Sequence, residues 1–335
     1  MQYTEKILTT QKAFDVFSSD YVDLIPDRAK KAIDSRNWLI EQIEKSPQND
    51  LSFPNLYKEK NGKMMGSFSR KTKIRPLDDI DLLIVFSANG TTYHSFSDRT
   101  EMYVPETAQN LLLLSNEGKL NSIKVLNKIK SALKSVQNYS QAEIRYNQEA
   151  VTLKLKSYEW NFDIVPAFFT SPESNGRTYF VIPDGKGNWK KTDPRIDAQR
   201  TTKINQWHSK KLLKVIRLLK HWNNRPLAPK MGSYLLENMI LDYFEWRSLI
   251  SSPQVAIRDF FEHLKIAIYS NCIDPKGIQG DINTLNLDEK IKVAAAAGRF
   301  ATICNGAIIY EILGDHENAI KEWKKVFGDN FPSYG

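Results

Sequence analysis

Cysteine is scarce in this chain, which contains only Cys272 and Cys304 among its 335 residues. The two lie far apart, and neither belongs to a C-x-x-C pair. Structural zinc sites and disulfide frameworks both need clustered cysteines, so the sequence argues against either. A reducing compartment is the expected environment.

The chain also lacks a secretory leader and any apolar run close to the roughly 20 residues of a membrane-spanning helix. Charged residues make up 26% of the sequence and hydrophobic residues 41%, as in ordinary globular proteins. This length allows one large domain or two modest ones. The net charge of +8 suits an anionic ligand without identifying it. We therefore expect a soluble cytoplasmic protein.

The segment 64–86, which reads MMGSFSRKTKIRPLDDIDLLIVF, carries the strongest chemical signal. Gly66 and Ser67 precede a basic turn, and Asp79 and Asp81 open a strand-like apolar run. Side chains alternate along a strand, so the two aspartates project from the same face, roughly 6–7 Å apart at Cα. Two carboxylates at the end of a buried strand are costly without a cation, and hard ions such as Mg²⁺ prefer oxygen ligands. The pattern predicts a divalent metal site.

A third aspartate completes a recognisable signature. Asp163 lies within the apolar run WNFDIVPAF at residues 160–168. The order G-S, D-x-D and this aspartate resembles the DNA polymerase β-like nucleotidyltransferases, and more narrowly their cGAS/DncV-like branch, the CD-NTases. The resemblance covers residues 27–195 and, less specifically, the chain to residue 313. It implies an α+β, bilobal polymerase β-like fold, with a mixed central sheet flanked by helices and a mainly helical second lobe.

The resemblance also implies three parts of the chain. Residues 1–195 would form the nucleotidyltransferase catalytic lobe with an N-terminal bracing helix, residues 196–329 a helical lobe closing the nucleotide cleft, and residues 330–335 a flexible tail. Periodicity predicts strands at 80–86, 142–146, 150–156, 160–168 and 179–182. It predicts helices at 13–17, 27–45, 106–114, 119–136, 204–224, 233–249, 253–269 and 287–312, and a last helix between Asp315 and Gly328. Residues 87–99 are expected to form a polar loop, and residues 189–194 to lead out of the sheet.

By resemblance, Asp79 and Asp81 would hold two Mg²⁺ ions, which Mn²⁺ could replace, and Asp163 would complete the site of the attacking hydroxyl. One ion would lower the pKa of that ribose hydroxyl, and the other would stabilise the leaving pyrophosphate. A plain acidic strand end is the competing interpretation. The order and spacing of all three aspartates favour catalysis.

The resemblance assigns five further residues to the nucleotide. Gly66 and Ser67 would cradle phosphates, because glycine lets the backbone approach closely and serine donates a hydrogen bond. Lys220, within RLLKHWN, would contact the triphosphate. Within GSYLLE, Ser233 would donate to the triphosphate at a helix start, and Tyr234 would stack on the donor base. The structural alternatives are a tight turn, a snorkelling lysine, a capping serine and a core tyrosine.

Several nearby polar residues are interpreted without a role in the site. The basic turn residues Arg70, Lys71 and Lys73 are expected to be solvated, and His208 and His221 to be structural or exposed.

The implied function is the joining of NTPs (ATP, GTP or pyrimidine NTPs) into a cyclic di- or trinucleotide signal, as in bacterial anti-phage CD-NTases. Two alternatives stay open: a linear oligonucleotide synthetase or RNA-tailing transferase, and an inactive nucleotide- or RNA-binding module. The residues leave open the bases joined, the linkage and the activator, including any nucleic acid. The terminal Gly335 also suggests the hypothesis of a ubiquitin-like conjugating partner, with a frayed terminus as the plain interpretation.

Overall fold

The computed structural model describes residues 6–57, 59–60, 62–226 and 229–335, without the side chains of residues 63 and 64. These residues form two compact units that interleave along the chain. The sheet unit contains residues 26–69 and 77–195, and it holds all the strands described. The helical unit contains the residues up to 25, residues 70–76 and residues 196–335. Each predicted lobe was one continuous stretch of sequence. In the structure, residues 6–25 and 70–76, which were predicted in the first lobe, belong to the helical unit.

One mixed sheet of eleven strands, counted over the described residues, organises the sheet unit. The strands are β1 Lys63–Met64, β2 Asp79–Phe86, β3 Thr92–Ser95, β4 Thr100–Tyr103, β5 Ser115–Asn116, β6 Lys119–Leu120, β7 Glu143–Asn147, β8 Ala150–Lys154, β9 Asn161–Phe169, β10 Phe180–Pro183 and β11 Trp189–Thr192. The order is β1-β2-β9-β10-β11-β4-β6-β5, with β3 beside β4 and with β7 and β8 adding to β9. Strands β2 and β9 are parallel, and the other pairs are antiparallel.

The sequences of β2 and β9 explain their position at the centre of the sheet. Residues 82–86 and 164–168 are buried without interruption, as expected of strands covered on both faces. On one face, Leu83 and Val85 pack with Val165 and Ala167. The polar residues are confined to the N-terminal end of each strand, where they are half-buried. The N-terminal ends of β2 and β9 therefore form one polar edge of the sheet, beside a fully apolar core.

Four α-helices accompany the sheet within the part of the chain that the structure describes: α2 Pro26–Asn49, α3 Gly66–Ser69, α4 Gln109–Leu112 and α5 Ser122–Lys134. Helix α2 starts at a proline, whose fixed φ suits a first helical turn. Its predicted end at Lys45 is wrong, because Pro47 lies in the last turn, where the loss of one backbone hydrogen bond is tolerated. On this helix Leu39 is buried, whereas Ile33 is 38% exposed.

Other predicted boundaries in this unit also change. The expected loop 87–99 contains β3, which forms a hairpin with β4, and residues 189–192 form β11 instead of leaving the sheet. The predicted helix 119–136 begins only at Ser122, because Asn121 caps it through Lys124 N and the preceding residues pair as β6. The predicted helix 106–114 shortens to α4. Strands as short as β3, β6 and β11 have too few residues to show a reliable alternation, which explains why the sequence did not predict them.

The helical unit contains seven α-helices within the described residues: α1 Thr10–Phe17, α6 Pro194–Trp207, α7 Leu212–Asn223, α8 Ser233–Phe244, α9 Pro253–Ala267, α10 Leu287–Ile312 and α11 His316–Phe327. A π-helical segment, Ser18–Val22, follows α1. The core is aromatic: Trp222 packs at 4.8 Å from Phe261 and 5.6 Å from Phe300, measured between ring centroids.

The predicted helix 204–224 is two helices. Ser209 and Lys210 adopt φ values of 52° and 65°, which an α-helix does not allow, so the chain turns between α6 and α7. No glycine or proline marks this turn in the sequence. The helical spacing of apolar residues therefore predicted one continuous helix.

Helix α10 is long and apolar enough to span a membrane, with a mean hydropathy of 1.3 over 18 residues. No apolar run of this length was expected from the sequence. However, 44% of that window is buried inside the protein, and Ala297, Ala301 and Cys304 lie in the helical core. Burial of one face within a folded unit accounts for this composition. A capping box opens α10, since Asn286 and Glu289 exchange both hydrogen bonds.

The last residues of the chain, 330–335, were expected to be flexible but pack on the helical unit. Phe331 is 1% exposed, with its ring centroid 5.2 Å from Phe14 and 5.1 Å from Phe17. The backbone N–H of Gly335 donates to the carbonyl of Ile7 at 3.1 Å. A single large aromatic side chain is enough to fix the segment, because its burial favours the docked state by about 1.5–3 kcal/mol.

Candidate functional site

Three carboxylates converge at the polar edge of the sheet unit. Asp79 and Asp81 share a face of β2, and the parallel register places Asp163 of β9 directly beside Asp81. One ligand oxygen from each of the three lies within 4.8 Å of the others, and all three residues are half-buried. Like charges this close repel one another, so a cation would stabilise the group strongly. The geometry thus brings together the three aspartates that the sequence analysis grouped.

The chemistry of this donor set fits a hard divalent cation. Oxygen-only ligands from carboxylates are typical of Mg²⁺, Mn²⁺ and Ca²⁺ sites.

Gly66 is fixed against this cluster by its backbone. Its φ of +70° lies in the left-handed region, and Met65 N donates to the Asp81 carbonyl at 3.3 Å. A Cβ built on residue 66 would lie 1.7 Å from Asp81 Oδ2, which no side chain tolerates. Glycine is therefore required here by the aspartate as well as by the turn. The next residue, Ser67, is half-buried in the first turn of α3.

Thr152 orients Asp163 and was not singled out in the sequence analysis. It lies opposite Asp163 in the register of β8 and β9, and its Oγ1 donates to Asp163 Oδ1 at 2.6 Å. Alternation in β8 placed Thr152 on the face opposite Val151 and Leu153. The strand register that brings it to Asp163 has no local sequence signal.

Lys220 lies in a buried cluster of charges in the helical unit. It is 6% exposed, and its Nζ lies 3.6 Å from Glu237 Oε2. Burial lowers the pKa of Lys220, with Arg70 and Lys73 acting in the same direction and Glu237 against them. The interpretation of a snorkelling lysine is therefore wrong.

Arg70 belongs to the same cluster, so its interpretation as a solvated residue is also wrong. Its Nε donates to Glu237 Oε1 at 2.6 Å, and Thr72 Oγ1 donates to Oε2 at 2.9 Å. Two buried cations, Arg70 and Lys220, thus share one carboxylate, which leaves excess positive charge suited to an anion. No sequence pattern pairs residues 70 and 237, which are distant along the chain.

The two remaining predicted residues lie in the first turn of α8. Ser233 is exposed, and the N-cap position belongs to Gly232, so the capping interpretation does not hold. Tyr234 is half-buried, and its hydroxyl donates to Asp197 Oδ1 at 2.8 Å and lies 3.2 Å from Asp274 Oδ1. Lys276 Nζ contacts the same hydroxyl. The hydroxyl of Tyr234 is therefore held by polar contacts, and Tyr234 is not a core residue.

The two histidines considered in the sequence analysis are structural. His208 is fully buried, with Nε2 at 2.9 Å from the Phe244 carbonyl and Nδ1 accepting from Ile250 N at 3.3 Å. Burial lowers the pKa of His221, which packs edge-on against Phe17.

Sequence comparison finds relatives along nearly the whole chain. A family profile described as "Second Messenger Oligonucleotide or Dinucleotide Synthetase domain" (SMODS) matches residues 110–205. Over 330 residues the chain is 48% identical to a protein of Bacillus cereus (strain VD146) named a probable cyclic nucleotide synthase. That alignment covers 98% of this chain and 99% of the relative, so it includes both units.

Solved structures share the fold at much lower identity. The chain matches Escherichia coli MS115-1 CdnC, in its complex with HORMA-deltaN, with 17% identity and a TM-score of 0.69, covering 96% of this chain and 98% of that chain. It matches apo Vibrio cholerae DncV with 12% identity and a TM-score of 0.68, over 97% and 96% of the two chains. A DncV structure with the linear intermediate 5′ pppA(3′,5′)pG matches at 13% identity and a TM-score of 0.64, over 98% of both chains. These likenesses confirm the predicted fold class.

Proposed function

The chain belongs to the cGAS/DncV-like nucleotidyltransferases, and on that premise we propose that it joins NTPs into a cyclic di- or trinucleotide second messenger. The observation that carries the proposal is the convergence of Asp79, Asp81 and Asp163 at one edge of the sheet. The B. cereus relative, named a probable cyclic nucleotide synthase, supports a cyclic product. We further propose that the enzyme acts in the bacterial cytoplasm, in anti-phage signalling.

Nucleotidyltransferases of this kind use divalent metals, and we propose that the three aspartates hold two Mg²⁺ ions. Bound there, the ions would acidify the attacking ribose hydroxyl and neutralise charge on the leaving pyrophosphate. Thr152 keeps one oxygen of Asp163 engaged, so that the carboxylate keeps its orientation. Gly66 leaves the space that Asp81 occupies, and Ser67 would donate to a phosphate.

The helical unit would supply the other nucleotide contacts. Lys220 and its partner Arg70 provide buried positive charge, which suits a triphosphate. Ser233, exposed at the start of α8, would donate to a phosphate oxygen. Tyr234 would stack on the donor base through its ring.

A regulatory protein partner is also proposed. The E. coli CdnC structure contains a HORMA protein, which supports partner control within this fold. Conjugation of Gly335 by a ubiquitin-like system is a separate proposal. It requires the docked segment around Phe331 to be released first, because the terminal backbone is hydrogen-bonded to Ile7.

The deciding experiment is mass spectrometry of the products formed from all four NTPs with Mg²⁺ or Mn²⁺. Phosphatase-resistant cyclic products are expected, and the double variant Asp79→Asn/Asp81→Asn should form none. A ladder of digestible oligomers would instead identify a linear synthetase or RNA-tailing enzyme. Absence of pyrophosphate release with every added partner or nucleic acid would identify an inactive binding module.

A further inference from the structure

The hydroxyl of Tyr234 lies at the centre of a buried polar cluster in the helical unit. Lys276 Nζ contacts this hydroxyl, lies 2.9 Å from Asp274 Oδ1 and 3.5 Å from Asp197 Oδ2, and is 4.3 Å from the centroid of the Tyr234 ring. Lys276 is 4% exposed, Asp274 1% and Asp197 8%. The same lysine thus holds the hydroxyl end of the ring and both carboxylates beside it.

The loop that carries Lys276 is braced internally. The Asp274 carboxylate accepts hydrogen bonds from the backbone N–H groups of Lys276, Ile278 and Gln279 at 3.2, 3.3 and 3.0 Å. Asp274 N in turn donates to the Gly280 carbonyl at 2.8 Å. A loop closed in this way presents the ammonium group from a fixed position, not from a mobile tip.

Electrostatics make Lys276 essential to this arrangement. A tyrosine hydroxyl has one proton, so it can donate to only one of Asp197 and Asp274 at a time. Without the lysine, the oxygen of Tyr234 would face two buried carboxylates with a single proton between three acceptors. The ammonium group supplies three donors and a positive charge, which satisfies the carboxylates and lets the hydroxyl accept.

We infer that Lys276 is a positioning residue for the nucleotide: it holds the hydroxyl of Tyr234 and thereby fixes the orientation of the ring on which a base would stack. This inference rests on the proposed function, in which Tyr234 stacks on the donor base. A locked ring binds with less loss of side-chain freedom than a mobile one. In this inference Lys276 acts through Tyr234, as a positioning residue.

Equilibrium titration with non-hydrolysable ATP and GTP analogues tests the inference without requiring turnover. Lys276→Met should raise Kd about 5- to 50-fold, the scale of one weakened stacking contact, and Lys276→Arg should restore most of the affinity. Because Lys276 acts through Tyr234, adding Lys276→Met to Tyr234→Ala should change Kd less than about twofold. Lys214→Met, which removes the ion pair with Asp15 in the same unit, is the matched control and should bind like the wild type.

Circular dichroism establishes that each variant is folded. If Lys276→Met does not fold, the comparison uses Tyr234→Phe, which removes only the hydroxyl and should raise Kd several-fold. A folded Lys276→Met protein with wild-type Kd would overturn the inference while leaving the proposed function intact, as would multiplicative effects in the double variant. A wild-type protein that binds no triphosphate analogue would overturn the proposed function itself.

Discussion

The buried charge cluster around Glu237 gives the sharpest stability prediction. Glu237 is 2% exposed and accepts from Arg70 and Thr72, with Lys220 Nζ 3.6 Å away. Substitution Glu237→Gln keeps the shape and one of the two acceptor oxygens but removes the negative charge that these contacts place between two buried cations. Breaking a buried pair by removing one partner costs about 3–5 kcal/mol, and the one hydrogen bond that the amide oxygen can still accept places the expected loss at the lower end, about 3 kcal/mol.

Urea denaturation at pH 7, followed by circular dichroism, measures this loss. The matched control is Glu262→Gln, which removes an exposed pair with Lys265 and should change the free energy of unfolding by less than about 1 kcal/mol. If Glu237→Gln and Glu262→Gln prove equally stable, the assignment of a strongly coupled buried cluster is refuted.

The same cluster predicts a pH dependence of stability. Burial would raise the pKa of Glu237, but Arg70, Lys220 and Thr72 outweigh it and leave the pKa below the ordinary value of 4.5. A carboxylate whose pKa is lower when folded stabilises the protein above its unfolded pKa, and that contribution is lost as pH falls through the folded value. Wild-type stability should therefore decline below pH 4.5, and the Glu237→Gln protein should decline less steeply, in denaturation midpoints measured from pH 7 to pH 3.

Three further predictions concern the sheet unit and the terminal segment. Gly66→Ala places a Cβ 1.7 Å from a carboxylate oxygen and should lower product formation about 100-fold, whereas Gly118→Ala, at a similar φ of +77° with open space around it, should lose only about 1–2 kcal/mol of stability and no activity. Asp163→Asn should lower turnover by about 100-fold or more while raising thermal stability without metal, because it relieves like-charge repulsion; reduced stability would contradict this. Phe331→Ala should cost about 3–5 kcal/mol in urea denaturation, against less than about 0.5 kcal/mol for the exposed Tyr334→Ala; equal values would show that the terminal segment is not docked.

Much of the catalytic geometry was determined by local sequence. The D-x-D spacing alone puts Asp79 and Asp81 on one face of a strand, because side chains alternate. The apolar runs after Asp81 and Asp163 predicted strands at 80–86 and 160–168, and β2 and β9 confirmed them. Helix ends with explicit capping residues, such as Asn286, were also predictable, since the cap and its partner lie within one turn.

Only the tertiary structure decided which distant residues meet. The parallel register that sets Asp163 beside Asp81, and the burial of Arg70 against Glu237, depend on strand pairing and helix packing between segments far apart in sequence. The same holds for Lys276, which no sequence pattern linked to the tyrosine hydroxyl that it contacts. Periodicity reports which face of an element is buried, but it contains no information on what that face is buried against. For that physical reason the sequence could group the three aspartates, and the fold alone brought Arg70 to Glu237 and Lys276 to Tyr234.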